Sequence, residues 1–360
     1  MTKIKLFDPS INKLEEKSIV NVLKSHFWAS GAGTNYVQKF EKQFQKFVNS
    51  DNTVAVNSGT AALHLALSLF NLSNKEVILP SLSFVSTAHA VILNQAKPVF
   101  VDVDPSTLCI DPEKIKSLIS KKTEAILPVH FGGFPCNLDA ISKICIDNNI
   151  PLVEDAAHAA GASYKNNKIG THGKFVCFSF HPVKNLSMPS GGLISINGTN
   201  HKNFKKILNS RRWCGITNRI GSEYDVKELG WNYYMNEFSA VLGLVQLDKL
   251  DKMNKKRKLI AKKYFTKINL EEKMPFNTEC SYHLYWILVK NRTKFRKNLH
   301  DVGIETGIHY KPIHLMSMYK NNRKLPITEK ISKQIVSIPI HPNLTNSQTN
   351  KIINAINKYS

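Results

Sequence analysis

From about residue 53 onward, short uninterrupted apolar runs alternate with stretches whose apolar residues recur at helical spacing. The run 53–56 is followed by a helical pattern over 60–70, 77–79 by one over 84–94, and 99–101 by one over 112–120. The run 125–127 precedes a helix near 138–148, and the runs 151–153, 175–180 and 193–196 complete the series. Strands covered by helices on both faces need apolar residues at consecutive positions, because neither face meets water. The pattern therefore predicts an α/β fold whose strands are buried on both sides.

A longer helical pattern spans 236–266, with Ala240, Leu244, Leu247 and Leu250 on one stripe. Beyond it the alternation changes. Residues 283–289, 292–302, 335–340 and 346–358 read as strand, helix, strand, helix, enough for a small α+β unit. At 360 residues the chain exceeds what one compact core usually supports. Two domains are expected, a large one over 1–245 and a small C-terminal one over 246–360, with no internal repeat.

Composition narrows the class. Hydrophobic residues make up 42% and charged residues 21%, which excludes collagen-like, low-complexity and disordered chains. The six cysteines are scattered without a CxxC pair, so neither a zinc site nor a disulfide framework is expected, and a reduced compartment fits. No stretch approaches the roughly 20 apolar residues that span a bilayer, and the N-terminus has no apolar signal core. The expected location is cytoplasmic, without membrane insertion. The formal charge of +22 is compatible with nucleic acid, an anionic surface or an acidic small substrate. The lysines are spread among many Asn and Ile, as biased genome composition would produce, and the dense run 252–258 reads as a solvated helix face. No nucleic-acid motif accompanies the charge, so no nucleic-acid partner is expected.

Candidate chemistry sits where the apolar runs end, because ligands of open α/β sheets collect at the carboxyl ends of strands. Asn57-Ser58-Gly59-Thr60 follows one run and opens a helix. Backbone N–H groups there, with the Ser58 and Thr60 hydroxyls, can cradle a phosphate, although Ser and Thr at this position also serve as ordinary helix caps. The spacing is not that of a P-loop or a GxGxxG turn. His309 and His314 lie in a Pro-containing loop and there is no HExxH, so no metal is expected.

Asp155 ends a second run, where an unpaired carboxylate is expensive to bury. It needs a cation, or it is a structural pair or cap. An opposite charge at about 4 Å with an effective dielectric near 20 is worth roughly 4 kcal/mol, or about three pKa units. That is enough to keep a pyridine nitrogen protonated. Lys184 follows a third run, five residues after Ser179 and close to Ser190-Gly191-Gly192. A lysine there is either a solvent-facing side chain or an amine with a depressed pKa able to form a Schiff base. Lysine, strand-end carboxylate and phosphate cradle together are the set that pyridoxal 5'-phosphate (PLP) requires.

On these motifs the chain resembles the DegT/DnrJ/EryC1/StrS family of PLP-dependent nucleotide-sugar aminotransferases. The resemblance rests on NSGTAALHLAL, LPSLSFVSTAHAV, VEDAAHAAGA, FSFHPVKN and LGWNYYMN, and runs from about Trp28 to at least Tyr319. It implies aminotransferase fold type I, with a large mixed-sheet α/β domain and a small C-terminal α+β domain. It implies that Lys184 carries the cofactor as an imine and moves the proton, and that Asp155 binds the ring nitrogen. Phe84 would stack on the ring, His158 would approach the phenolic oxygen, and Gly59, Thr60 and Ser179 would hold the phosphate. Asn232 would reach the phosphate of a neighbouring subunit, which implies a homodimer with shared active sites. His309 and Tyr310 match a substrate-facing loop, and Arg212 and Arg219 are the candidate contacts for a diphosphate. The family commonly has Gly-acidic-Gly-Gly after the lysine, whereas this chain has Pro189-Ser190-Gly191-Gly192.

The implied activity is a ping-pong transfer of an amino group from L-glutamate to a nucleotide-linked ketosugar, at C4 or alternatively C3, in surface polysaccharide or lipopolysaccharide synthesis. Two other readings stand beside it. A sugar dehydratase of the same family would typically carry histidine where this chain has Lys184, and a non-catalytic regulator would need a DNA-binding domain for which the chain has no room.

Overall fold

The apolar runs form the middle layer of a computed structural model that describes residues 3–320 and 323–360. Strands β1 (Asn52–Val56), β2 (Glu76–Pro80), β3 (Lys97–Val101), β4 (Thr123–Ile126) and β5 (Val153–Asp155) come first. A two-stranded excursion, β6 (Ser163–Tyr164) and β7 (Asn167–Lys168), leads to β8 (Phe175–Ser179) and β9 (Gly192–Ile196). One sheet has the order β1-β9-β8-β5 and another the order β3-β2-β4. Parallel bridges Ile126↔Leu152 and Val129↔Asp155 join their edges, so the two act as one mixed layer. Strand β9 runs antiparallel to both β1 and β8, whereas β5 pairs β8 and β2 pairs β3 and β4 in parallel.

Every residue of β5 and β9 is buried, as is all of β8 except Ser179. These strands thus have no solvent face, in keeping with their unbroken apolar sequence. Helices start where the sequence supplies caps. Ser58 accepts from Ala61 N at the start of helix Gly59–Leu67, and Asn236 accepts from Ser239 N at the start of helix Glu237–Lys267. The latter runs unbroken for 31 residues, across the expected division at residue 245.

Before β1, helices Lys13–Lys24 and Tyr36–Val48 pack on the long helix. After β9 come helix His201–Arg211 and an exposed hairpin of β10 (Ile216–Ile220) and β11 (Glu223–Val226). The C-terminal part pairs β12 (Tyr285–Leu288) antiparallel with β13 (Ile335–Ile338) and adds helices Arg292–Asp301, Pro326–Gln334 and Asn346–Tyr359. Four of these elements were expected from the pattern, and each lies within a few residues of its predicted span. The N-terminal segment returns to this part through the bridge Ile4↔Ile304. No described helix is long and apolar enough to cross a membrane.

Candidate active site

The ends of β1, β5 and β8 converge, because β9 holds β1 and β8 in register while β5 lies on the other side of β8. The Asp155 backbone is held against the segment 128–130. Its amide donates to Pro128 O at 2.9 Å and its carbonyl accepts from His130 N at 3.1 Å. The buried carboxylate accepts from Thr87 Oγ1 at 2.8 Å and from Ala157 N at 3.1 Å. It enters no ion pair among the described residues, and burial pushes its pKa up against the opposing pull of Thr87, Ala157, Lys184 and His130. A carboxylate kept dry with donors on only part of its lone-pair capacity is a ready acceptor for a cationic N–H.

Lys184 lies in the loop after β8. Its amide donates to His181 O and its carbonyl accepts from Ser187 Oγ, both at 2.8 Å. The next residue anchors the loop, as Asn185 Nδ2 donates to Asn254 Oδ1 at 3.0 Å and Ser281 O at 2.8 Å. Burial lowers the Lys184 amine to about 8, with the Asp155 charge pulling the other way. An amine with that value is neutral for roughly a fifth of the time near physiological pH, far more than an ordinary lysine, and can act as nucleophile or base.

The turn from β1 into helix Gly59–Leu67 packs on the end of β8. A Cβ placed on Gly59 would lie 2.7 Å from Ser179 Cβ, so only glycine lets the backbone approach there. Ser58 is engaged as the cap, which is the ordinary role weighed for it, while the first-turn amides of Gly59 and Thr60 have no acceptor within the helix. Thr60 Oγ1 donates to Ser86 Oγ at 2.8 Å. Asn57 Nδ2 reaches the Asn232 carbonyl at 3.2 Å, which sets the exposed Asn232 beside the cradle of its own chain.

His158 is buried, accepts at Nδ1 from Gly132 N at 3.2 Å, and meets the Tyr310 hydroxyl through Nε2 at 3.1 Å. Burial, Lys184 and His309 hold its pKa well down. The Tyr310 ring lies 6.0 Å from Phe84, whose side chain is 57% exposed and thus free to cover a planar ligand. His309 points elsewhere, with Nδ1 on Ser337 Oγ at 2.8 Å, and burial followed by the Lys184 charge lowers it to about 4.

The expectation for Arg212 is corrected. Its side chain is 1% exposed, with Nη1 donating to Glu41 Oε1 at 2.6 Å and Ala55 O at 2.8 Å and Nη2 to Ala32 O at 3.1 Å. A guanidinium paired inside the core cannot also meet a diphosphate. Arg219 is exposed on β10, over the Trp213 ring at 5.0 Å.

Sequence reasoning missed several neighbours. Thr87 lies within the quoted LPSLSFVSTAHAV motif but was given no role. His283, 4.4 Å from the His158 ring, and Phe7, stacked on His283 at 5.5 Å, come from distant segments with no local signal. Glu154 and His130, both fully buried, pair at 2.7 Å on the opposite face of β5.

The sequence profile of the DegT/DnrJ/EryC1/StrS aminotransferase family matches residues 9–357. An uncharacterised protein of Methanocaldococcus jannaschii is 36% identical over 377 aligned positions, covering 98% of this chain and 96% of the relative. Helicobacter pylori PseC, an aminotransferase involved in the biosynthesis of pseudoaminic acid, has a similar structure, with TM-score 0.93 and 26% identity over 99% of each chain. DesV of S. venezuelae, solved in complex with a ketimine intermediate, superposes with TM-score 0.92 and 28% identity over 100% of this chain and 99% of its own.

Proposed function

The chain belongs to the DegT/DnrJ/EryC1/StrS aminotransferase family, and from that premise we propose that it moves the amino group of L-glutamate to the keto carbon of a nucleotide-linked sugar. It has the type I aminotransferase fold, its family is PLP-dependent, and its structural neighbours are sugar aminotransferases. The observation that carries the fuller reading is the convergence of three features. They are the Asp155 carboxylate outside any ion pair among the described residues, the Lys184 amine lowered to about 8, and the open amides of Gly59 and Thr60 against Ser179. These residues fit the cofactor, since they supply a partner for a ring N–H, an amine for a carbonyl and donors for a phosphate.

When bound, PLP supplies an electron sink that stabilises negative charge on the carbon bearing the amine. Asp155, oriented by Thr87, accepts from the ring N–H and keeps it protonated. Lys184 Nζ takes the proton from the donor's Cα and, in the return direction, delivers one to the sugar carbon that receives the amine. Phe84 covers one side of the site and excludes water, and His158 would act on the phenolic oxygen through the Tyr310 hydroxyl that its Nε2 meets at 3.1 Å.

C4 of the sugar is the favoured position and C3 the alternative, within surface polysaccharide or lipopolysaccharide synthesis. Arg219 and Tyr310 remain the proposed substrate contacts, while His309 is turned onto Ser337 and is set aside. The proposed assembly is a homodimer to which Asn232 contributes across the interface. The hairpin residues Ile220, Tyr224 and Val226, followed by Leu229, expose 81, 56, 52 and 76% of their surfaces, a patch a second copy would cover. The division into 1–245 and 246–360 belongs to the same proposal, with helix Glu237–Lys267 shared by both. A cytoplasmic location accords with six cysteines that are all free.

The deciding experiment is the near-visible absorbance of the PLP-loaded protein before and after L-glutamate, followed by a panel of nucleotide-linked ketosugars. A band that bleaches with glutamate and returns with a ketosugar supports the reading. A band indifferent to glutamate points to another donor or to sugar dehydration. Loss of the band in Lys184→Ala supports the lysine assignment, and transamination retained by that variant would sink it. Mixing Asn232→Ala with Lys184→Ala protein should restore activity, whereas a monomer by light scattering contradicts the shared site.

A further inference from the structure

The two ring nitrogens of His158 face different partners, and together these fix where its proton sits. Nδ1 lies 3.2 Å from the backbone nitrogen of Gly132, an N–H that can only donate. Gly132 and Gly133, at φ +65° and +89°, turn the chain so that this amide faces the ring. The same turn accepts from Leu284 N at 3.2 Å and Ser281 N at 3.1 Å, so it is tied to the segment entering β12. The imidazole is enclosed by His283 at 4.4 Å, the Phe131 ring at 6.1 Å and Tyr310 at 6.2 Å. The charged or titratable groups that bear on it are Lys184, His309, His283 and Tyr310, none of them an anion that would favour imidazolium.

A neutral imidazole carries one proton, and with Nδ1 accepting, that proton must be on Nε2. Nε2–H then donates to the Tyr310 oxygen 3.1 Å away. A phenol oxygen that accepts keeps its own proton for another acceptor. Burial and the Asp155 charge both favour the protonated phenol of Tyr310.

We propose that Gly132, His158 and Tyr310 form a one-way hydrogen-bond relay in which the Gly132 amide sets the His158 tautomer, His158 donates to Tyr310, and Tyr310 is a specificity-determining donor to an oxygen of the bound small molecule. The last step rests on the reading of this site as the one that holds cofactor and ketosugar. The Tyr310 ring stands 6.0 Å from the exposed Phe84. The accepting oxygen is the cofactor's phenolic oxygen or the sugar's carbonyl or hydroxyl, which ask for the same donor.

The relay is tested in the full-length, PLP-loaded protein labelled with 15N-histidine, with His158 assigned by loss of its signals in His158→Gln. The expected spectrum is a neutral ring protonated at Nε2 throughout about pH 6 to 9. A ring protonated at Nδ1, or a doubly protonated one in that range, overturns the relay. Single-turnover rates of Tyr310→Phe identify the oxygen. A loss of about tenfold or more confined to the ketosugar half-reaction assigns the sugar. A loss in both halves with an altered near-visible spectrum assigns the cofactor, and no loss in either overturns the donor role. His158→Gln keeps a side-chain N–H and should retain most of the Tyr310-dependent rate, whereas His158→Leu should behave like Tyr310→Phe. The nuclear magnetic resonance result does not depend on what is transferred, so its failure sinks the relay alone. A protein that transaminates nothing sinks the functional reading and leaves the tautomer assignment standing.

Discussion

The Thr87 hydroxyl donates to Asp155 Oδ2 across 2.8 Å, tying the first turn of helix Ser86–Leu93 to the end of β5. Thr87→Val keeps the branched shape and removes the donor, leaving Asp155 with the Ala157 amide alone. The carboxylate then loses orientation as well as a hydrogen bond worth about 1–1.5 kcal/mol. PLP affinity should fall roughly tenfold, and Thr87→Ser should recover it. Fluorescence titration of the cofactor-free variants is the check, and an unchanged dissociation constant would show that Thr87 does not orient Asp155.

Gly59 and Ser179 set a second relationship that can be broken and repaired. Gly59→Ala would bring a methyl to 2.7 Å from Ser179 Cβ, closer than side chains tolerate, so the cradle must open. Phosphate anchoring should weaken by about tenfold or more, read as a higher PLP dissociation constant. The double variant Gly59→Ala with Ser179→Gly removes the clash and should regain part of the loss. If the single variant binds PLP normally, the phosphate is held elsewhere.

What could be read from the chain follows from how local each signal is. Asp155, Lys184 and the 57–60 turn were legible because each ends an apolar run, and burial of a strand end limits what a polar residue there can do. The apolar-run reading starts near residue 53, so it passes over helix Tyr36–Val48, although Val37, Phe40, Phe44 and Val48 recur at helical spacing and all are buried. Helix His201–Arg211 is mostly polar, with only Leu208 among its apolar residues fully buried, which leaves little periodicity to find. Arg212 was misread because its partner, Glu41, lies 171 residues away. The ring contact between His283 and His158 likewise exists only through tertiary packing.

The Lys184 amine gives the pH dependence. Its pKa falls from 10.5 to about 8 because burial disfavours the charged form. Capture of PLP by the cofactor-free protein needs the neutral amine, so the rate should rise with pH through a midpoint near 8 and level off above it. In stability terms the sign is the reverse of a salt-bridged lysine. The charged amine destabilises the fold at every pH below about 8, and the penalty fades as pH rises towards 10.5. Lys184→Met should therefore stabilise the cofactor-free protein at pH 7 by about 3 kcal/mol and by much less at pH 10. Urea unfolding at the two pH values measures this, and equal effects at both would mean that the amine is solvated.

Arg212 and Arg219 separate a structural cation from a substrate-facing one. Removing the Arg212 guanidinium leaves buried Glu41 with only Lys205 at 4.0 Å and the Ala55 amide at 2.8 Å, while the carbonyls of Ala55 and Ala32 lose the guanidinium donor. Arg212→Met should cost about 3–5 kcal/mol in unfolding free energy. The companion Glu41→Gln should reduce that cost when combined with it, since the stranded charge is then gone. Arg219 stands on an exposed strand over Trp213, so Arg219→Ala should change stability by less than about 0.5 kcal/mol. If it meets a diphosphate, the same variant should raise KM for the nucleotide-linked sugar several-fold, steepest at low salt, and leave the glutamate half-reaction untouched. Both arginines acting on KM with stability intact would contradict the core placement of Arg212, and neither acting on KM would move the diphosphate contact away from β10.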